Sequence, residues 1–132
     1  GRVFYAVAAD DLAEARISSV DLSGGGQIVL RSGTQAGARA SFQEICVSPD
    51  GSRLVYAEAG DDGYSRLFAM SASDGSAVVP LSVRRDDYPL CWGCDGLLYF
   101  IEGNSWQGEA TKLLAVGSDG IGRRVVIEGA GR

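Results

Sequence analysis

Short apolar runs of strand length recur along this chain, separated by clusters of glycine, aspartate and serine. The runs predict strands over Arg2 to Ala8, Arg16 to Leu22, Gln27 to Leu30, Phe42 to Val47, Arg53 to Glu58, Ser65 to Met70 and Ala77 to Leu81. Four more are expected over Tyr88 to Trp92, Leu97 to Ile101, Thr111 to Val116 and Arg123 to Ile127. Asp10 to Arg16 holds good helix formers but is too short to stand as a helix without packing support. Arg31 to Ser41, rich in Gly, Ala, Ser and Thr and without periodicity, reads as a connection.

One stretch organises the rest. Ile45-Cys46-Val47 leads into Ser48-Pro49-Asp50-Gly51, and Leu54-Val55-Tyr56 leads away. Proline presets φ for the first corner of a type I turn, the aspartate bonds nearby backbone N–H groups, and glycine takes the positive φ that returns the chain. A degenerate copy, Cys91-Trp92-Gly93-Cys94-Asp95-Gly96 followed by Leu97-Leu98-Tyr99-Phe100, comes about 45 residues later with one residue deleted after the glycine. Further turn signals stand at Asp61-Asp62-Gly63, Ser73-Asp74-Gly75 and Ser118-Asp119-Gly120, with Ser23-Gly24 at the matching place in the opening segment.

The pattern is an all-β domain over residues 1–132, built as four-stranded antiparallel meanders over about 1–41 (incomplete, lacking its innermost strand), 42–87 and 88–132. Radially repeated meanders are β-propeller blades. A two-sheet β-sandwich is the alternative. Three blades do not close a ring that usually takes about four to eight. The chain is therefore a partial propeller, or two copies self-associate as a homodimer to make a six-bladed ring.

Ile45 to Leu81, through Ser48-Pro49-Asp50-Gly51, Leu54-Val55-Tyr56, Leu67-Phe68-Ala69-Met70 and Asp74-Gly75, resembles the TolB-like, or WD40-like Pro-Asp, β-propeller repeat family. Tyr88 to Ile127 resembles it more weakly, with Gly93-Cys94 in place of Ser-Pro. The resemblance implies a non-catalytic module that binds a protein or peptide, in the bacterial periplasm or secreted. Relatives of the same family imply the alternative, a propeller fragment of an enzyme: the gating domain of a prolyl oligopeptidase-type peptidase, or a carbohydrate-active propeller.

Composition narrows the chemistry. The net charge is -5 and Lys112 is the single lysine, so nucleic acid is not an expected partner. No apolar run is long enough to cross a bilayer, so membrane insertion is not expected, and no leader pattern precedes Val3. The sequence contains no histidine, which removes a Ser-His-Asp or Cys-His pair, and it offers no nucleophile motif, so an enzyme is not favoured. No metal or other cofactor is expected.

Candidate contact residues fall in two sets of connections that emerge on one face of a propeller. Asp61, Asp62, Tyr64, Trp106 and Gln107 belong to those joining second to third strands, and Arg84, Arg85, Asp86 and Asp87 to a blade-to-blade connection. Trp106, flanked by Asn104, Ser105 and Gln107, is not in a core pattern and is either an interface anchor or a cover for its own hairpin. Trp92, on an apolar inner strand, is expected in the core. Cys91 and Cys94 are read as buried structural thiols or a local disulfide rather than a redox centre, with Cys46 at the repeat position of Cys91.

Overall fold

In the computed structural model, which describes residues 1–8, 14–34, 42–59, 65–81, 88–102 and 111–129, the apolar runs form strands, and no helix occurs among the described residues. The strands are β1 (Arg2–Ala8), β2 (Glu14–Asp21), β3 (Ile28–Thr34), β4 (Phe42–Val47), β5 (Arg53–Ala59), β6 (Ser65–Ser71), β7 (Val79–Pro80), β8 (Tyr88–Trp92), β9 (Leu98–Glu102), β10 (Lys112–Val116) and β11 (Arg124–Glu128). They make three antiparallel meanders in the orders β1-β2-β3, β4-β5-β6-β7 and β8-β9-β10-β11. Two expectations needed adjustment. β3 runs on through Arg31 to Thr34, because Gly33 and Thr34 find ladder partners in Ala15 and Glu14. β7 shrinks to two residues, since Ala77, at φ 52°, is out of strand geometry.

Stacking of the meanders buries two apolar layers. Phe4, Ala6, Ala15, Ile17 and Leu30 of the first sheet meet Leu54, Tyr56, Met70 and Ala72 of the second. The opposite face of the second sheet, with Val55, Ala57, Leu67, Ala69 and Leu81, meets Leu98, Phe100, Leu114 and Val116 of the third. Period-two alternation along β5 is what lets one strand serve both layers: Leu54 and Tyr56 face one neighbour, Val55 and Ala57 the other. In the registers of β5 with β6 and of β9 with β10, Leu54, Tyr56 and Glu58 correspond to Leu98, Phe100 and Glu102.

Close approach at two glycines fixes the place of the first sheet in this repeat. A Cβ on Gly75 would lie 2.0 Å from the carbonyl oxygen of Leu30 on β3, and one on Gly120 would lie 3.2 Å from that of Pro80 on β7. β3 therefore stands to the second blade as β7 stands to the third, as an outermost strand. β1 then holds the place of a second strand, and among the described residues no strand pairs with its other edge. β4 packs against β1 on one side and β8 on the other. The end faces carry exposed apolar side chains, with Val3 and Val7 on one and Ile127, opposite Leu113, on the other.

Candidate functional site

The first strand-to-strand turn of the second blade forms as its residues require. Gly51 N donates to Ser48 O at 2.9 Å, Gly51 sits at φ 75°, and Ser48 N donates to Arg53 O at 2.8 Å. Asp50 Oδ1 accepts from Ser52 N at 3.0 Å and from the hydroxyls of Ser52 and Ser48, each at 2.7 Å. Led by the Ser52 N–H and followed by the two hydroxyls, these donors hold the Asp50 carboxyl well below its ordinary range, at about 2. Ser48 Oγ in turn accepts from Arg53 N at 2.9 Å.

The third blade keeps the same turn without Ser-Pro. Gly96 N donates to Gly93 O at 3.0 Å, and Gly93 N donates to Leu97 O at 2.8 Å. Asp95 accepts from Leu97 N at 3.1 Å, and its other oxygen accepts from the Tyr99 hydroxyl at 2.8 Å. The phenol first and the Leu97 N–H second lower the Asp95 pKa. What specifies this turn is thus the Asp-Gly pair, with aspartate on the backbone N–H two residues ahead and glycine at φ 80°.

These turns wall a cavity of about 250 Å³ in the groove between the second and third blades, lined by Ser48, Asp50, Arg53, Trp92, Cys94 and Asp95 among others. Arg53 bridges the groove, its Nη2 donating to Ala77 O at 3.1 Å and Ser118 O at 3.2 Å. Trp92 is half-buried, packs against the core beneath, and donates from Nε1 to Cys46 O at 3.2 Å, which ties the two inner strands together. The cavity combines an indole, a thiol, the Arg53 guanidinium held on two carbonyl oxygens, and two turn carboxylates. It can take an apolar stem ending in a cation.

The cysteines differ from the buried or bridged pair expected. Cys91 and Cys94 are both exposed free thiols, without a disulfide. Cys91 lies opposite Tyr99, on the face of the third blade that no described blade covers, whereas its counterpart Cys46 lies opposite Val55 on a covered face and is half-buried. The contact residues chosen from sequence, Asp61, Asp62, Tyr64, Arg84, Arg85, Asp86, Asp87, Trp106 and Gln107, lie outside the described residues. Sequence reasoning did not single out Asp95 or Cys94 as cavity residues, nor Arg53. The signal was available in the repeat itself, which sets two Asp-Gly turns side by side on one rim. Among the described residues, no group of three or more Cys, Asp or Glu side chains could hold a metal ion, and no helix is long and apolar enough to cross a membrane.

No family model and no curated protein sequence matches the chain. Solved structures do. A protein assigned as TolB from Agrobacterium tumefaciens superposes with a TM-score of 0.67 at 17% identity, over 96% of this chain and 45% of its own. The β-propeller domain of the trilobed protease from Pyrococcus furiosus superposes with a TM-score of 0.63 at 16% identity, over 96% of this chain and 38% of its own. The fold is that of a β-propeller, and the chain spans less than half the length of either structure.

Proposed function

We propose that these blades belong to a non-catalytic β-propeller that binds a protein or peptide, with a basic side chain of the ligand entering the groove between Asp50 and Asp95. The observation that carries the reading is the cavity itself, where Trp92 offers an apolar surface for a lysine or arginine stem and Asp50 and Asp95 line the wall, their carboxylates held in their own turns. A net charge of -5 favours the same partner at longer range. Trp106 and Arg84 to Asp87 remain proposed contacts on the loop face. Further blades, from the same polypeptide or a second copy, complete the ring.

Selection of peptides from a displayed library on the purified chain tests this. Enriched sequences should carry lysine or arginine, and the double change Asp50→Asn with Asp95→Asn, which keeps an oxygen acceptor in each turn, should remove their binding. Enriched peptides without a basic residue, or binding indifferent to the double change, would refute the site. Similarity to the protease propeller domain supports a second reading, in which the blades screen a hydrolase. With no histidine in these residues, such a propeller would govern access to catalysis performed elsewhere. Turnover by a longer polypeptide that survives the double change at the turns would favour that role.

A further inference from the structure

The groove between the second and third blades carries a cation as well as carboxylates, and two of its charged side chains are only half used. Arg53, half-buried in the wall, spends Nη2 on Ala77 O and Ser118 O, one carbonyl from each blade. Among the described residues its Nε and Nη1 donate to nothing, and no carboxylate pairs with it. Asp50 is similar. Its Oδ1 takes the bonds from Ser52 N and from the Ser52 and Ser48 hydroxyls, while Oδ2 accepts from no other described residue. Asp95 is less open, since both of its oxygens accept, from Leu97 N and from the Tyr99 hydroxyl. Asp50 and Arg53 belong to one turn, tied through Ser48, whose Oγ accepts from Arg53 N at 2.9 Å and donates to Asp50 Oδ1 at 2.7 Å. The turn therefore presents a fixed pair of opposite charges to one cavity.

We infer that the groove takes the last residue of a peptide, a C-terminal lysine or arginine whose side chain lies on Trp92 and reaches Asp50 while its α-carboxylate accepts from Arg53. The inference rests on the basic-side-chain reading above and narrows it. A lysine inside a peptide would bring its charge to Asp50 but leave the Arg53 cation facing a neutral amide. An acidic residue would answer Arg53 and leave both the indole and Asp50 unused. A basic residue at a chain end answers both from one residue, through charge-assisted hydrogen bonds to Arg53 at Nε or Nη1 and to Asp50 at Oδ2. Size agrees with a single residue. The cavity, of about 250 Å³, falls below the roughly 300–1,000 Å³ in which drug-sized ligands sit.

Three short peptides of glycine and serine are the probes, titrated into the whole chain by calorimetry: one ending in lysine as the free acid, the same peptide as its C-terminal amide, and one ending in alanine as the free acid. The lysine acid should bind, the amide about tenfold more weakly, and the alanine acid not at all over the same range. The net charge of -5 favours the amide at long range, so tighter binding of the acid reports a local cation. Arg53→Gln, which keeps an N–H donor for the two carbonyls, should bring acid and amide to equal affinity by weakening the acid alone. Equal binding of acid and amide by the unaltered chain would overturn the inference and leave the basic-side-chain reading standing. Failure of both lysine peptides to bind, or binding of the alanine acid as tight as that of the lysine acid, would overturn the two together. If Arg53→Gln weakened acid and amide alike, Arg53 would be a structural brace only, and the inference would fall.

Discussion

Arg31 reaches from the first blade to Glu58 in the second, its Nη2 lying 3.1 and 3.0 Å from the two carboxylate oxygens, while its guanidinium stands 5.8 Å from the ring centre of Tyr56. The third blade repeats the arrangement with a different supply route. Arg123, just before that blade's own last strand, pairs with Glu102 and stands 5.4 Å from the ring of Phe100. An arginine over an aromatic beside a glutamate is therefore a recurring brace, delivered across blades in one case and within a blade in the other. Arg31→Ala should lower stability by about 1 kcal/mol, as for a partly exposed ion pair with a cation–π contact. Arg123→Ala should cost more, about 3 kcal/mol, because Glu102 is the more deeply buried carboxylate. Urea titrations of both variants measure the difference.

Blade spacing depends on Gly75. Its φ is 76°, and a Cβ there would meet the Leu30 carbonyl at 2.0 Å, a contact that only backbone movement could relieve. Gly75→Ala should destabilise the chain by about 3 kcal/mol or more. Gly120→Ala meets the Pro80 carbonyl at 3.2 Å and should be the milder change. Thermal unfolding of the two variants should preserve that order.

Ala77 has φ 52° where the corresponding turns place Gly26 and Gly122, at 63° and 76°. An L-residue in this region is strained by roughly 1 kcal/mol. Ala77→Gly should accordingly stabilise the chain by about 0.5 kcal/mol after the added freedom of the unfolded glycine is counted. A higher urea midpoint with unchanged slope is the expected reading.

Burial pushes the Tyr56 phenol up to about 12, against the opposing pull of Arg31. The folded chain thus favours the neutral phenol while the unfolded chain ionises at its ordinary pKa. This contribution to stability is complete below about pH 10 and is lost as pH rises from there towards 12. Tyr56→Phe, which copies Phe100, should flatten that alkaline loss. The turn carboxylates act at the other end of the scale. Asp50, lowered to about 2, adds stability above its unfolded value near 3.8 that disappears as pH falls towards 2. Asp50→Asn should remove part of the acid dependence, as read from unfolding midpoints across the two ranges.

Much of this architecture is legible in the amino-acid sequence because its determinants are local. The Ser48 to Gly51 turn is self-specified, and the unbroken apolar run Leu54-Val55-Tyr56 announces a strand buried on both faces. The place of Ser23-Gly24 relative to Asp74-Gly75 and Asp119-Gly120 aligns β1 to β3 with the last three strands of a blade. The extent of β3 was not legible, since Gly33 and Thr34 join the ladder through partners in β2 rather than through their own propensity. Cysteine exposure was equally hidden: Cys46 and Cys91 share a repeat position, and only the neighbour across the groove makes them differ. The groove at Trp92 is likewise a product of blade stacking, assembled from turns that the sequence presents as separate hairpins.

The most direct test of the groove as a binding site uses its own thiol. Cys94 lines the cavity, while Cys91, also exposed, is not among its lining residues. Alkylation by a maleimide, followed site by site by mass spectrometry, is measured with and without a library-selected basic peptide. Protection of Cys94 with an unchanged rate at Cys91 is the predicted result. Equal rates at Cys94 in the presence and absence of bound peptide would contradict the account.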